Sequence, residues 1–230
     1  MRIHRFFIDS SFASKKTLDI ENTDTLNQWR NVFRFKAGER VVLFNGSGFD
    51  FLCEISVLTK QNAVLSVLSS QKNIVIPKRE VWLYSSLIKK DKFEWVVEKG
   101  TEIGVSHFVP VISERSEKKN LNLERLKRIL VEAAEQSGHA VLPTLHPVVS
   151  LKEALETLSV PAIFFDAAGA VFTHSASENT VAVFIGPEGG WSEKEKEIFG
   201  EKNIPSLSLG TMTLKSETAA LAAASLLLIV

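Results

Sequence analysis

TVAVFIGPEGGWSEKEKEIF, Thr180 to Phe199, carries three local signals in order. Thr180 to Phe184 is an apolar run, the mark of a strand buried on both faces. Ile185 to Gly190 is a glycine turn, where main chain can come close to a ligand. Ser192, with Glu195 three residues on, forms a capping box that opens a helix. Strand, glycine turn and helix is an arrangement that often cradles phosphate. This one lacks the Lys and Ser/Thr pair of a phosphate loop and the glycine spacing of a dinucleotide fingerprint, and it sets Glu188 where the anion would sit. A ligand with hydroxyls, an amine or a positive centre suits that acid better.

Leu209 onward, LGTMTLKSETAALAAASLL, repeats the logic: a strand end, a glycine turn, and an apolar helix for which Ser216 is the expected N-cap. The short apolar runs EVWLYSSL, HFVPVI, PAIFFDA and SLSLG alternate with the helical patterns KFEWVVEKGTEIG, LERLKRILVEAAEQSG and SLKEALETL. That alternation predicts an α/β fold with a mostly parallel sheet covered on both faces. Ligands of such sheets bind beyond the carboxyl ends of the strands, so two neighbouring glycine turns there predict a pocket.

The front of the chain has a different rhythm. RIHRFFI, VVLFNG, FDFLCEISVL and AVLSVLSS read as strands, with a hairpin turn in FNGSGFDF. Between the first two lies one helical stretch with Leu26, Trp29, Val32 and Phe33 at helical spacing, stopped at Gly38. The reading is a small barrel-like domain over residues 1–72 and an α/β domain over residues 73–230.

Composition bounds the rest. A chain of 230 residues that is 45% hydrophobic buries a large core. Its 27 basic and 27 acidic side chains cancel, so charge does not announce a nucleic-acid binder. The balance is uneven: residues 1–72 hold 10 Lys and Arg against 7 Asp and Glu, and residues 73–230 hold 17 against 20. The lone Cys53 reads as a structural thiol in a reducing compartment. The opening apolar run is too short for a signal peptide, and Thr218 to Val230 falls short of the roughly 20 residues that cross a bilayer. The expectation is a cytoplasmic protein with its last helix buried, and no membrane. His139 and His146 flank a proline turn and are too sparse a set for a metal, so none is expected.

IGPEGGWSEKE followed by LGTMTLKSETAALAAASLLL resembles the C-terminal signature of the small-subunit ribosomal RNA methyltransferase E family, uridine N3 methyltransferases of the knotted SPOUT superfamily. NVFRFKAGERVVLFNGSG, LIKKDKFEWVVEKGTEIGVSHFVPVISERS and EAAEQSG agree with it in order along nearly the whole chain. The resemblance implies a PUA-like β-barrel domain, then a SPOUT-type parallel sheet with a C-terminal trefoil knot. It also implies S-adenosylmethionine as methyl donor, small-subunit (16S) ribosomal RNA as substrate and a homodimer as working unit.

Carried onto this sequence, the resemblance places the cofactor on Ile185, Gly186, Pro187, Glu188, Gly189, Gly190, Leu209, Gly210 and the run Met212 to Thr218, with Met212, Leu214 and Thr218 foremost in it. Glu217 is the preferred base for the uridine proton, with Glu188 and Glu102 behind it, and Arg115 stands with the catalytic residues as an RNA-positioning group. Arg5, Arg34, Lys89, Lys90, His139 and Lys215 would contact RNA, and Arg2 and Arg30 add to the positive excess of the first domain. The chain departs from the family pattern at Lys215 and Ser216, where Arg-Thr is usual, and at His139, where Arg is usual. Lys keeps the charge of Arg but not its planar fork. The rival reading is a non-catalytic RNA-binding or assembly factor that keeps the α/β domain as a dimerisation scaffold.

Overall fold

The computed structural model describes residues 3–12, 15–117, 121–172 and 178–229; Arg2 lies outside them. The chain divides into two compact units, one of residues 1–75 with 134–141, the other of residues 76–133 with 142–230.

In the first unit, β1 (His4–Phe7), β2 (Thr17–Ile20), β3 (Arg40–Phe44), β4 (Phe49–Leu58) and β5 (Ala63–Lys72) form a five-stranded sheet in the order β1-β3-β4-β5-β2. The β1–β3 pairing is parallel and the others are antiparallel. Alternate residues point inward, as Leu18 and Ile20 do on β2, so one face of the sheet closes over Phe6, Trp29, Leu43, Ile55 and Leu65. Burial in that core pushes the Cys53 thiol up to about 11, which keeps it protonated and inert.

The helical stretch is not one regular helix. A short α1 (Thr23–Asn27), capped by Asn22, runs into a π-helical turn over Gln28–Val32. The wider turn rotates the apolar stripe: Trp29 is fully buried, while Val32, which the spacing placed in the core, is 71% exposed. The segment 134–141 joins this unit through Asn73, whose amide donates to Asp50 Oδ2 at 2.7 Å and to the Gly138 carbonyl at 3.0 Å.

The second unit is built on β6 (Glu80–Ser86), β7 (His107–Ile112), β8 (Thr144–Leu145), β10 (Ala162–Val171), β11 (Thr180–Ile185) and β12 (Ser206–Ser208), in the order β12-β10-β11-β6-β7-β8. β9 (Val149–Ser150) pairs with β7, and every pairing in this sheet is parallel. Side chains alternate between two cores. Val81, Leu83, Val183 and Ile185 face α2 (Lys90–Ile103), α3 (Leu123–Ser137) and α6 (Ser216–Leu228). Tyr84, Ala182 and Phe184 face α4 (Leu151–Glu156) and α5 (Glu193–Glu201).

α6 is apolar nearly all round, and its Ala220, Ala223 and Ala224 are wholly buried. Such a helix is stable only when covered, and alanines let the flanking elements approach closely.

Candidate cofactor cavity and the cleft beside it

The sheet ends in a cavity of about 190 Å³ at the carboxyl ends of β10, β11 and β12. Three backbone features shape it. β11 runs straight into the turn at Gly186–Gly190. β12 runs into the loop Leu209–Lys215, where Gly210 has φ +118°, a conformation that side-chain-bearing residues rarely adopt. β10 pairs with β11 as far as Phe165, then bulges, and resumes its pairing with β12 at Ala170. The bulge frees Asp166 and Ala167 to line the cavity.

The first turn is anchored from several sides. Trp191 Nε1 donates to the Phe165 carbonyl at 3.1 Å. Ser192 and Glu195 form the capping box, and the buried Glu195 accepts in addition from the Glu114 amide at 2.8 Å. Arg115 Nη1 donates to the Gly189 carbonyl at 2.8 Å. A Cβ on Gly189 would stand 3.3 Å from Arg115 Cδ, so glycine lets the arginine stem lie flat on the loop. The second loop is tied to the first by Ser216, whose hydroxyl donates to the Gly186 carbonyl at 2.6 Å. Ser216 is therefore the first residue of α6 rather than its N-cap; that position belongs to Lys215, whose side chain makes no capping bond.

Nine of the residues expected to hold the cofactor line this cavity: Ile185, Gly186, Pro187, Glu188, Gly190, Leu209, Gly210, Met212 and Leu214. Gly189 faces a neighbouring cleft instead, and Thr218 is exposed on the first turn of α6 and lines neither. Thr213 and Ser216, inside the run Met212 to Thr218 expected there, line the cavity too, whereas sequence reasoning missed Phe165, Asp166, Ala167, Trp191, Ser208 and Ala219. The acid ending the run FFDA was the available signal, because it sits at the carboxyl end of a parallel strand. Among the described residues no Lys or Arg lines the cavity. Apolar walls, exposed main chain and two acids, Asp166 and Glu188, suit a flat heterocycle joined to a cationic centre and disfavour a phosphate.

A charge cluster links this cavity to α2. Lys92 Nζ lies 3.2 Å from Glu217 Oε1 and 3.4 Å from Glu188 Oε1. The hydrogen bond that Lys92 donates to Glu217, with help from Glu188, holds its ammonium above the usual lysine range. Glu217 Oε2 is buried and has no hydrogen-bond partner among the described residues. Glu102, the other candidate base, pairs with Lys99 at 2.8 Å and lines neither the cavity nor the cleft.

The expected RNA contacts divide. Lys89 and Arg115 line the neighbouring cleft, whereas Lys90 does not and approaches Glu94 at 3.9 Å. Lys215 and Arg34 are exposed, Arg34 with a left-handed φ of +57°. Arg5 is committed inside its own unit, paired with Asp50 at 2.8 Å and set over the Phe44 ring. His139 is only 8% exposed, and its carbonyl accepts a long bond from Arg5 at 3.4 Å. Burial turns His139 from an expected RNA contact into a packing residue.

Residues 76–228 match the model of an RNA methyltransferase domain, and residues 30–68 match that of an RNA methyltransferase PUA domain. The chain is 32% identical over 225 residues to the ribosomal RNA small subunit methyltransferase E of Helicobacter pylori strain J99, covering 96% of this chain and 98% of that protein. It is 28% identical to the protein of the same name from Rickettsia conorii, covering 97% of this chain and 94% of that one. Among solved structures, the ribosomal RNA small subunit methyltransferase E of Neisseria gonorrhoeae bound to S-adenosyl methionine superposes with a TM-score of 0.91 at 27% identity, covering 97% of this chain and 96% of that one. With a family model over residues 76–228 and relatives matched along almost their full length, this chain belongs to the ribosomal RNA small subunit methyltransferase E family.

Proposed function

We propose that this protein transfers the methyl group of S-adenosylmethionine to small-subunit ribosomal RNA, at N3 of a uridine. The observation that carries the reading is the cavity between the Gly186–Gly190 turn and the Leu209–Lys215 loop, which offers main chain, apolar walls and carboxylates but, among the described residues, no basic side chain. When bound there, the cofactor supplies an electrophilic methyl on a positively charged sulfur.

The protein's own part is orientation and proton handling. Leu209, Gly210, Met212 and Leu214 hold the heterocycle, and Glu188 and Asp166 favour the positive centre. Uridine N3 carries a proton at neutral pH, so its attack requires a base. Glu217 has the unsatisfied carboxylate oxygen for that role, and Lys92 fixes its orientation. Holding the acceptor atom in line contributes several kcal/mol, about the lower values known for intramolecular reactions. A uridine accessible in single-stranded or extruded form is needed, because N3 is hidden in a paired base.

The first unit adds RNA affinity through exposed cations such as Arg34, and Lys215, exposed on the second unit, also meets the backbone. The family resemblance also implies the trefoil knot, a homodimer and a place in the cytoplasm with the ribosome. Among the described residues no helix is long and apolar enough to cross a membrane.

Radiolabelled S-adenosylmethionine incubated with protein and small-subunit RNA tests the reaction. Label recovered on one uridine, blocking its Watson–Crick edge to reverse transcription, supports it. Label on a ribose, on carbon 5 or on no nucleotide contradicts it.

A further inference from the structure

Between β6, β7 and β9 on one side and α4 with its following loop on the other lies a cavity of about 230 Å³ that shares no lining residue with the cofactor cavity. A cavity of about 150 Å³ accepts a benzene ring, so this one has room for one or two fused rings. Trp82 and Pro147 give it apolar walls, Tyr84 and His146 give it polar groups, and Thr157 and Ser159 stand at its exposed rim. Among the described residues no Asp, Glu, Lys or Arg lines it. Tyr84 is 6% exposed, and its ring lies nearly parallel to that of Phe184 with centroids 4.3 Å apart, so the hydroxyl cannot swing to a new partner. That hydroxyl makes no hydrogen bond among the described residues, and burial raises its pKa, so it remains an O–H donor. His146 is set by a relay that begins at Glu80. Glu80 Oε1 accepts from Trp82 Nε1 at 3.0 Å and lies 2.9 Å from His107 Nε2, and His107 Nδ1 lies 3.1 Å from His146 Nε2. Burial holds both imidazoles below the usual histidine range, so both are neutral at pH 7. A neutral His107 that donates to the carboxylate from Nε2 must accept at Nδ1. His146 therefore donates from Nε2 and keeps Nδ1 as a bare acceptor.

We infer that this cavity is a second ligand site, which binds a free, uncharged heterocycle carrying a carbonyl and a ring N–H, the chemistry of a pyrimidine or purine base. The carbonyl accepts from the Tyr84 hydroxyl and the N–H donates to His146 Nδ1. The inference goes beyond methyl transfer and does not depend on that reading. A buried hydroxyl without a partner costs free energy in the empty protein, and a ligand acceptor recovers it. Apolar walls with a few fixed polar groups are the usual make-up of a small-molecule site. The ligand is uncharged because no counter-ion lines the cavity, and free rather than part of a strand because no Lys or Arg there meets a phosphate, among the described residues.

The test is calorimetric titration of the full chain with uracil and with hypoxanthine, a one-ring and a two-ring probe, for the parent, Tyr84→Phe and Ala154→Leu. At least one probe should bind the parent, and an excess of S-adenosylmethionine should leave that binding in place. Tyr84→Phe should weaken it about tenfold, the loss of one hydrogen bond. The hydroxyl has no partner to lose in the empty protein, so this variant should melt with the parent, and the weaker binding is not a folding effect. Ala154→Leu fills the cavity from α4 and should abolish binding, with S-adenosylmethionine affinity unchanged. Binding of neither probe overturns the assignment, as does parent-like affinity in both variants. Displacement of the probe by S-adenosylmethionine also overturns it, because the base then sits in the cofactor cavity. An oligouridine that binds in a Tyr84-dependent way while both free bases fail would give the cavity to a strand base and overturn the free-ligand assignment. Failure of S-adenosylmethionine to bind at all removes the cofactor reading and leaves the two variants to judge this site.

Discussion

The hydroxyl of Ser216 donates to the carbonyl of Gly186 at 2.6 Å, joining the first turn of the last helix to the first residue of the glycine turn thirty positions earlier. Both sides of the cavity are thus fastened by one bond from a buried serine. Ser216→Ala leaves the carbonyl unpaired in a buried setting and should cost about 1–3 kcal/mol, read as a lower melting temperature. Ser216→Thr retains the hydroxyl and should recover most of that loss. Equal melting of Ser216→Ala and the parent would show that the bond contributes nothing.

Gly210 is glycine for conformation and not for lack of room in the free protein. Its φ is +118°, and no atom stands within 4 Å of the place a Cβ would take. Gly210→Ala should cost about 1–3 kcal/mol in backbone strain, while Gly200→Ala, in ordinary helical backbone on α5 with equal space, should be neutral or stabilising. Thermal melts of the two variants side by side decide it. Equal effects would remove the conformational argument.

Lys92 joins Glu188 on the turn to Glu217 on α6. Its carboxylate partners raise its pKa in the folded state, so the stabilisation is fully present below the unfolded lysine value of about 10.4 and is lost as pH rises through the higher folded value. The melting difference between the parent and Lys92→Met should accordingly be flat from about pH 7 to 10 and shrink above that. A difference that already varies between pH 6 and 8 would point to another group.

Glu217→Gln separates helix capping from chemistry. As an acid on the first turn of α6, Glu217 is worth about 0.3–1 kcal/mol to the helix without any catalytic part. As the base, its loss should lower single-turnover methylation by about 10²–10⁴ while S-adenosylmethionine and RNA still bind. A rate within a few-fold of the parent would return Glu217 to a structural role.

The second unit was legible from sequence where period and punctuation agreed. HFVPVI became β7 residue for residue, and the Ser192–Glu195 capping box opened α5 as written. Reading failed where tertiary packing overrode local pattern. The strand seen in PAIFFDA continues after a bulge to Val171, because Gly169 lets the chain close onto the backbone of Leu207, where a Cβ would come within 2.6 Å. Leu26 and Trp29 are buried as their helical spacing implied, but Val32, at the same spacing, lies outside the core where the helix turns π-helical. The glycine turns announced a cavity, but nothing local could show that Ser216 reaches back to Gly186 or that Lys92 stands between two carboxylates. Those contacts join residues 30 to 125 positions apart and exist only once the sheet order is set.

The central claim is that the cavity at the two glycine turns holds S-adenosylmethionine, and calorimetric titration of the full chain tests it most directly, with ATP as the phosphate-bearing ligand of the same heterocycle. The account predicts saturable binding of S-adenosylmethionine at one site per chain, no binding of ATP, and loss of the S-adenosylmethionine signal in a folded Gly210→Val. Binding of ATP in preference, or of neither ligand by the folded protein, would contradict it.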